Sequence, residues 1–329
     1  MAASRRKRVK LAICVNPLAG RDVRRVAARA STVTHEAKMD IVARIAAGAD
    51  AIGIDEILVV REPFRIAEQA LAWMSLQATV TMLEIKLTHT MADTEAAMRA
   101  FLDQGVDHVV ALGGDGTQRV VTYTAPDIRL VPLSTGTNNV FPLNVEPTIA
   151  GMVAALGARG ELRAPHLAKR AKIAKLNIGA RVDDIGLIDV VRLENDFVGN
   201  YRPFKPANLR EMVLTRAEPD AIGMSPIGGL VEPVSADEDA ALYVNLGPGR
   251  TRRVPLAPGH LRDVEIAEAR RLPLATTVEF ESRGLIAIDG DRLHKVAADE
   301  SVTVRVVREG AWVYDVGAVM RYATKHLFN

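Results

Sequence analysis

The stretch Gly113-Gly114-Asp115-Gly116-Thr117 surrounds one carboxylate with three glycines. Glycine tolerates positive φ and admits a ligand close to the backbone, so successive N–H groups there can line an anion-binding concavity. Thr117 can cap a following helix, whose N-terminal dipole also favours phosphate. A carboxylate beside phosphates is repelled unless it takes a proton or hydrogen bond from a hydroxyl, or meets a cation bound to the phosphates. Gly113, Gly114, Gly116 and Thr117 are therefore candidate phosphate-lining residues and Asp115 a candidate base. The plainer reading is a tight turn in which Asp115 satisfies its own backbone. Two further loops, Asn16-Pro17 with Gly20 and Ser134-Thr135-Gly136-Thr137-Asn138-Asn139, offer amides and hydroxyls that bind phosphate or ribose without adding charge. Asn16, Thr137, Asn138 and Asn139 join the candidates on that ground.

These loops need a scaffold that brings them to one rim. Short β-branched runs at 11–15, 56–60, 80–85, 108–112 and 130–132 alternate with helix-like stretches at 22–47, 65–74, 93–104 and 117–124. That is the pattern of β-α-β units and a mainly parallel sheet. In open sheets of this kind ligands collect at the carboxyl ends of the strands, where all three loops lie. From about residue 164 the rhythm changes to short apolar runs at 171–178, 181–193, 241–246, 276–280, 285–288 and 301–307, separated by Gly and Pro turns. This predicts a β-rich, sandwich-like second domain. The expected division is an α/β domain over 1–150 and a β-rich domain over 151–329, with the extreme C-terminal tail free to return to the first. Residues 150–163, one amphipathic helix followed by Gly160, read as the linker.

Composition removes several function classes. The 329 residues are 48% hydrophobic and 25% charged, with 42 Lys and Arg against 40 Asp and Glu. A formal net charge of +2 argues against a nucleic-acid partner, which calls for a concentrated basic surface. The basic cluster at 5–10 reads as a solvated tail, and no apolar run is long enough to span a membrane. The one cysteine, Cys14, lies in an apolar run and reads as core packing in a reducing cytoplasm. The seven histidines show no metal-site spacing, so no metal ligand set is assigned. Hydrolase and P-loop signatures are absent. Arg250, Arg252 and Arg253 read as a solvated loop. Asn195-Asp196 reads as a β-turn, and Ile288-Asp289-Gly290-Asp291 as a hairpin turn.

Taken in order along the chain, NPLAG at Asn16 to Gly20, LGGDGT at Leu112 to Thr117 and STGTNN at Ser134 to Asn139 resemble the superfamily of NAD kinases and diacylglycerol or sphingosine kinases. Within it the pattern is most similar to the NAD-kinase-like group of acetoin catabolism protein X. The resemblance continues into the second half. Glu194-Asn195-Asp196 looks like the Asn-acidic motif of NAD kinases, and Met224-Ser225-Pro226-Ile227-Gly228-Gly229 looks like a variant of their TPTGS motif.

It implies an ATP- and Mg²⁺-dependent kinase with Asp115 as base or orienter. Asn195 and Asp196 would bind the nucleotide's sugar or base, and Ser225, Pro226 and Gly228 would form the loop beside an adenine. The implied acceptor is a hydroxyl on the ribose of NAD or a related nucleotide, and the implied assembly a homo-oligomer. Where NAD kinases continue Gly-Ser-Thr-Ala-Tyr, this chain has Gly228-Gly229-Leu230 and loses hydroxyl and aromatic contacts. The loop at 137–141 and the Ile288-Asp289-Gly290-Asp291 motif resemble the lipid kinases instead, which makes Asp291 an alternative base. A lipid-type hydroxyl kinase and a nucleotide-binding regulator without turnover are the competing readings.

Overall fold

The computed structural model describes residues 8–20, 32–136, 139–200 and 204–328. The five expected runs of the first half form β1 (Lys10–Val15), β2 (Glu56–Val60), β3 (Thr79–Leu83), β4 (His108–Gly113) and β5 (Arg129–Ser134). All pair in parallel, in the order β3-β2-β1-β4-β5. Alternate side chains go to opposite faces: Leu11, Ile13 and Val15 enter one core, Ala12 and Cys14 the other. Both faces are covered at β1, β2, β4 and β5, which is why these strands read as apolar runs, whereas the edge strand β3 is half-exposed and alternates threonine with apolar residues.

Helices α1 (His35–Ile52), α2 (Ile66–Leu71), α3 (Ala92–Asp103), α4 (Asp115–Thr124) and α5 (Pro147–Ala158) supply that cover. α1, α2 and α5 pack on one face, α3 and α4 on the other. Of the helix read over 22–47, residues 22–31 lie outside the described ones. The stretch read as a linker is a buried core helix. α5 crosses α1 so closely that a Cβ on Gly48 would stand 2.0 Å from the Thr148 carbonyl oxygen, and one on Gly151 2.1 Å from that of Ile45. The two glycines are what lets the helix backbones touch.

In the second half β6 (Ala168–Arg170) precedes two sheets facing one another. β7 (Ile173–Ile178), β8 (Val182–Gly186) and β9 (Asp189–Leu193) are followed by β10 (Leu209–Leu214), the short helix α6 (Ser225–Gly229), and the long hairpin of β11 (Ala240–Ala257) and β12 (His260–Pro273). β13 (Thr277–Phe280), β14 (Gly284–Ile288), β15 (Asp291–Val296) and β16 (Val302–Val307) complete them. The six-stranded sheet runs β12-β11-β10-β9-β14-β15 and the four-stranded one β13-β16-β7-β8. Ala174, Leu176 and Val304 meet Val190, Val213 and Ile286 between them. The expected N-terminal parallel α/β sheet followed by a β-rich sandwich is therefore the fold. The arginines read as a loop stand in β11, where Arg250, Arg252 and Arg253 oppose Ile266, Val264 and Asp263 on β12.

The chain then returns to the first sheet. β17 (Trp312–Tyr314) pairs in parallel with β5 and antiparallel with β6, and α7 (Val316–His326) adds Val316, Val319 and Ala323 to the core shared by α1 and α5. Among the described residues no helix is long and apolar enough to cross a membrane. The α1–α5 contact makes a clear test. Gly151→Val should destabilise the protein by roughly 2–3 kcal/mol through overpacking, read as a lower urea midpoint, whereas Gly160→Val at an open position should lose only the smaller cost of its positive φ.

Candidate active site

In the strand order β3-β2-β1-β4-β5, connections leave β1 and β4 in opposite directions, which opens a crevice between these adjacent strands at their carboxyl ends. The loop after β1 is held there by its own amide. Asn16 Oδ1 accepts from the Leu18 and Ala19 N–H groups (2.9 and 3.2 Å), while its Nδ2 donates to Thr117 Oγ1 (2.8 Å). From α1 the fully buried Lys38 donates to the carbonyls of Asn16 (3.2 Å) and Pro17 (2.5 Å). α4 starts earlier than the sequence suggests, with Gly114 as N-cap and Asp115 as its first residue. Thr117 is therefore not the cap but the tie to the first loop. Gly113 makes room for it, since a Cβ there would lie 2.3 Å from the Thr117 Cβ.

The loop after β5 closes over this turn. Gly136 faces Gly114 so closely that a Cβ on Gly136 would stand 2.6 Å from the Gly114 Cα. Asn139 Nδ2 donates to Ser134 Oγ (2.6 Å) and to the Gly136 carbonyl (2.9 Å). The next two residues hold the central carboxylate: the Val140 N–H reaches both Asp115 oxygens (3.1 and 3.2 Å) and the Phe141 N–H reaches Oδ1 (2.8 Å). Thr137 and Asn138 lie outside the described residues.

The second half supplies the opposite wall. Asp289 and Gly290 form the two-residue turn of the expected hairpin, with φ of 47° and 85°. The Asp289 carboxylate accepts from the N–H groups of Leu187 (2.8 Å), Ile188 (2.7 Å) and Asp189 (3.1 Å), with Arg119 Nε of α4 at 4.0 Å. Asp189, 4% exposed, leaves its Oδ1 without a hydrogen-bond partner among the described residues. Asp291 Oδ2 lies 3.7 Å from where a Cβ on Gly116 would stand.

A cavity of about 690 Å³ joins these parts. Asn16, Gly114, Asp115, Gly116, Thr117 and Asn139 line it from the first half, and Asp189, Asp289 and Asp291 from the second. Val60, Ile85, Leu87 and Met91 form an apolar wall. Burial pushes the Asp115 carboxyl up to about 7, helped by the charge of Asp289 and opposed by the Phe141 and Val140 N–H groups and by Arg216. Asp189 is raised well above the ordinary carboxylate value by burial, with the charges of Asp289 and Asp115 adding to it.

Other expected residues stand elsewhere. Gly113 ends β4 behind the cavity wall. Asn195 is exposed with φ 54°, and Asp196 accepts from the Phe197 N–H (2.9 Å) and Asn200 Nδ2 (2.6 Å); neither lines the cavity, although Val198, Gly199 and Asn200 of the same turn do. Ser225 is fully buried, accepting from the Glu218 N–H (2.8 Å) and donating to the Arg216 carbonyl (3.0 Å). Pro226 is buried beside it, and Gly228 packs against Leu214 and Leu242. Asp189, Asp289 and Lys38 escaped the sequence reading. The Asp-Gly turn was the one signal that pointed at Asp289.

Comparison with known proteins agrees with this architecture. The ATP-NAD kinase N-terminal domain matches residues 13–156, and the acetoin catabolism protein X C-terminal domain matches residues 172–309. The chain is 34% identical to acetoin catabolism protein X of Cupriavidus necator over 95% of its own length and 92% of that protein's. Among solved structures, yeast NADH kinase complexed with NADH shares the fold at a TM-score of 0.55 and 12% identity, over 99% of this chain and 89% of that one. A putative diacylglycerol kinase from Bacillus anthracis str. Sterne does so at 0.51 and 14%, over 94% and 99%.

The raised carboxyl has a consequence for stability. Asp115 sits at about 7 in the folded chain against an ordinary 3.8, so its contribution to stability is full below pH 4 and is lost as pH rises to 7. Asp115→Asn should therefore raise the unfolding free energy at pH 8, by at most about 4 kcal/mol, and leave it nearly unchanged at pH 4. Urea unfolding at the two pH values measures the difference.

Proposed function

The chain belongs to the acetoin catabolism protein X family, and from that premise we propose that it is an ATP-dependent kinase acting on a hydroxyl, with the ribose of NAD or a related nucleotide as acceptor. The observation that carries this reading is Asp115, a carboxylate held by two backbone N–H groups at the first residue of α4, open to the cavity, with a proton affinity near neutrality. A base of that strength is partly ionised at neutral pH, and its ionised form takes a proton more readily than an ordinary carboxylate does.

The acceptor hydroxyl donates to Asp115, which orients its oxygen for attack on the terminal phosphorus of ATP and takes its proton as the new P–O bond forms, while the bond from that phosphorus to the bridging oxygen breaks and ADP leaves. The phosphates lie along Gly114 and Gly116, where the missing side chains admit them to the backbone and the N-terminus of α4 offsets their charge. Asn16 and Thr117 keep the two loops in register during transfer, and Asn139 fixes the third. Among the described residues no three His, Cys, Asp or Glu side chains are placed to hold a metal ion. Magnesium enters with the substrate as Mg-ATP, and no step is routed through a resident ion.

The apolar wall of Val60, Ile85, Leu87 and Met91, with Leu18 and Phe64 exposed at the rim, favours a second reading in which the acceptor is a lipid-type hydroxyl. There Asp291, on the far side of Gly116, is the competing base. Cys14, also in that wall, has its thiol pushed up to about 12 by burial and takes no nucleophilic part.

Purified protein incubated with Mg-ATP and NAD should form NADP, with kcat/KM rising through about pH 7 as Asp115 ionises. Asp115→Asn should cut turnover by about 10²- to 10⁴-fold with nucleotide binding retained in calorimetry. Binding without NADP formation by the natural chain would overturn NAD as acceptor. Loss of turnover in Asp291→Asn alone would move the base to Asp291.

A further inference from the structure

We propose that Arg216 is the positioning residue for Asp115, fixing through the peptide between Val140 and Phe141 both where that carboxylate sits and when it is charged. The inference rests on Asp115 as the base. Arg216 follows β10 out of the six-stranded sheet, so it belongs to the second half of the chain, whereas Asp115 belongs to the first. Its Nη1 donates to the Val140 carbonyl at 3.4 Å, and its guanidinium carbon lies 5.2 Å from the centre of the Phe141 ring. The Val140 carbonyl and the Phe141 N–H are two ends of one amide. Its other end donates to Asp115 Oδ1 at 2.8 Å. The line therefore runs guanidinium, carbonyl, N–H, carboxylate. A cation drawing on the carbonyl oxygen polarises the amide and strengthens its N–H as a donor.

The arrangement has no competing explanation in a salt bridge. Among the described residues Arg216 is within ion-pair distance of no carboxylate, and its Nε is buried without a partner. The charges of Glu218, Asp115 and Asp237 act on it from beyond ion-pair distance, and Arg308 and Lys172 repel it. The charged groups that act on Asp115 are Arg216 on one side and Asp289 and Asp189 on the other. Arg216 is the cation in that set, opposing two acids.

The test uses Arg216→Met, which keeps the bulk and removes the charge, Arg216→Gln, which keeps a donor for the Val140 carbonyl, and Arg216→Lys, which keeps the charge. The ¹³C carboxyl resonance of Asp115, assigned by its loss in Asp115→Asn, is titrated in each. Met and Gln should move its midpoint upward by about one pH unit, a tenfold smaller ionised fraction on the acid side, and Lys by less than half as much. Where turnover is measurable, the acid limb of kcat/KM should move with it while the plateau at high pH is retained. A folded Met or Gln variant with an unmoved titration would overturn the proposal, as would a uniform loss of rate at every pH. The titration needs no turnover, so it stands even if the natural chain forms no NADP, and that failure would count against the kinase reading alone. Should Met fail to fold, the Gln variant carries the same prediction.

Discussion

Taking a carboxylate out of bulk water at the meeting of two domains demands donors from a backbone that has none to spare. Asp115 meets that demand with the N–H groups of Val140 and Phe141, brought to it as the loop after β5 turns back over the glycines. Much of the site follows. Gly114 and Gly136 must lack side chains for the turn to close, Asn139 must hold Ser134 and Gly136 so that 140 and 141 face inward, and Asn16 must reach Thr117 to hold the first loop beside them. Each is a local requirement set by one buried charge.

The second half of the chain repeats the solution with another acid. Asp289 gathers three consecutive N–H groups at the start of β9, which fixes the turn between β8 and β9 and places Asp189 in the wall. Its charge then presses on Asp115 and Asp189 alike, while Arg119 of α4 restrains it from behind. A residue that does structural work for one sheet thus sets proton affinities in a site built mostly by the other. The cost is borne as stability withheld above neutral pH, a pattern common where a fold is held away from its most stable state for chemistry.

What could be read from the sequence was whatever depends on near neighbours. The parallel strands announced themselves as apolar runs, and the three rim loops as glycine with small polar residues. The sandwich showed as short runs between turns. What could not be read depends on partners far along the chain. Lys38 looks like any surface lysine of an amphipathic helix until α1 is seen beneath the Asn16 loop, and Arg216 looks like a charge after a strand until Val140 is placed beside it. β12 escaped because most of its residues are polar and exposed, which reads as loop, and β10 and β15 were not among the expected runs either. Asn195 and Asp196 have the right types in the right order, but it is Val198, Gly199 and Asn200 of their turn that reach the cavity. Ser225 sits in a fitting motif and uses its hydroxyl to tie one stretch of backbone to another.

The return of the chain to its first sheet bears on how it is made. Leu143 pairs early with the far end of β5 beside Leu133, but Arg129 and Leu130 find their partner in β17, so until Trp312–Tyr314 has been translated that part of the edge presents unpaired backbone. At a ribosomal pace of about 5–20 residues per second the interval is on the order of ten to forty seconds. Pairing across so long a stretch of sequence is also slow once the partner arrives. A nascent chain with an open edge is a template for its neighbours on the same polysome. The α/β half therefore carries part of an open edge while the sandwich is still being synthesised, and β17 is the strand that covers it.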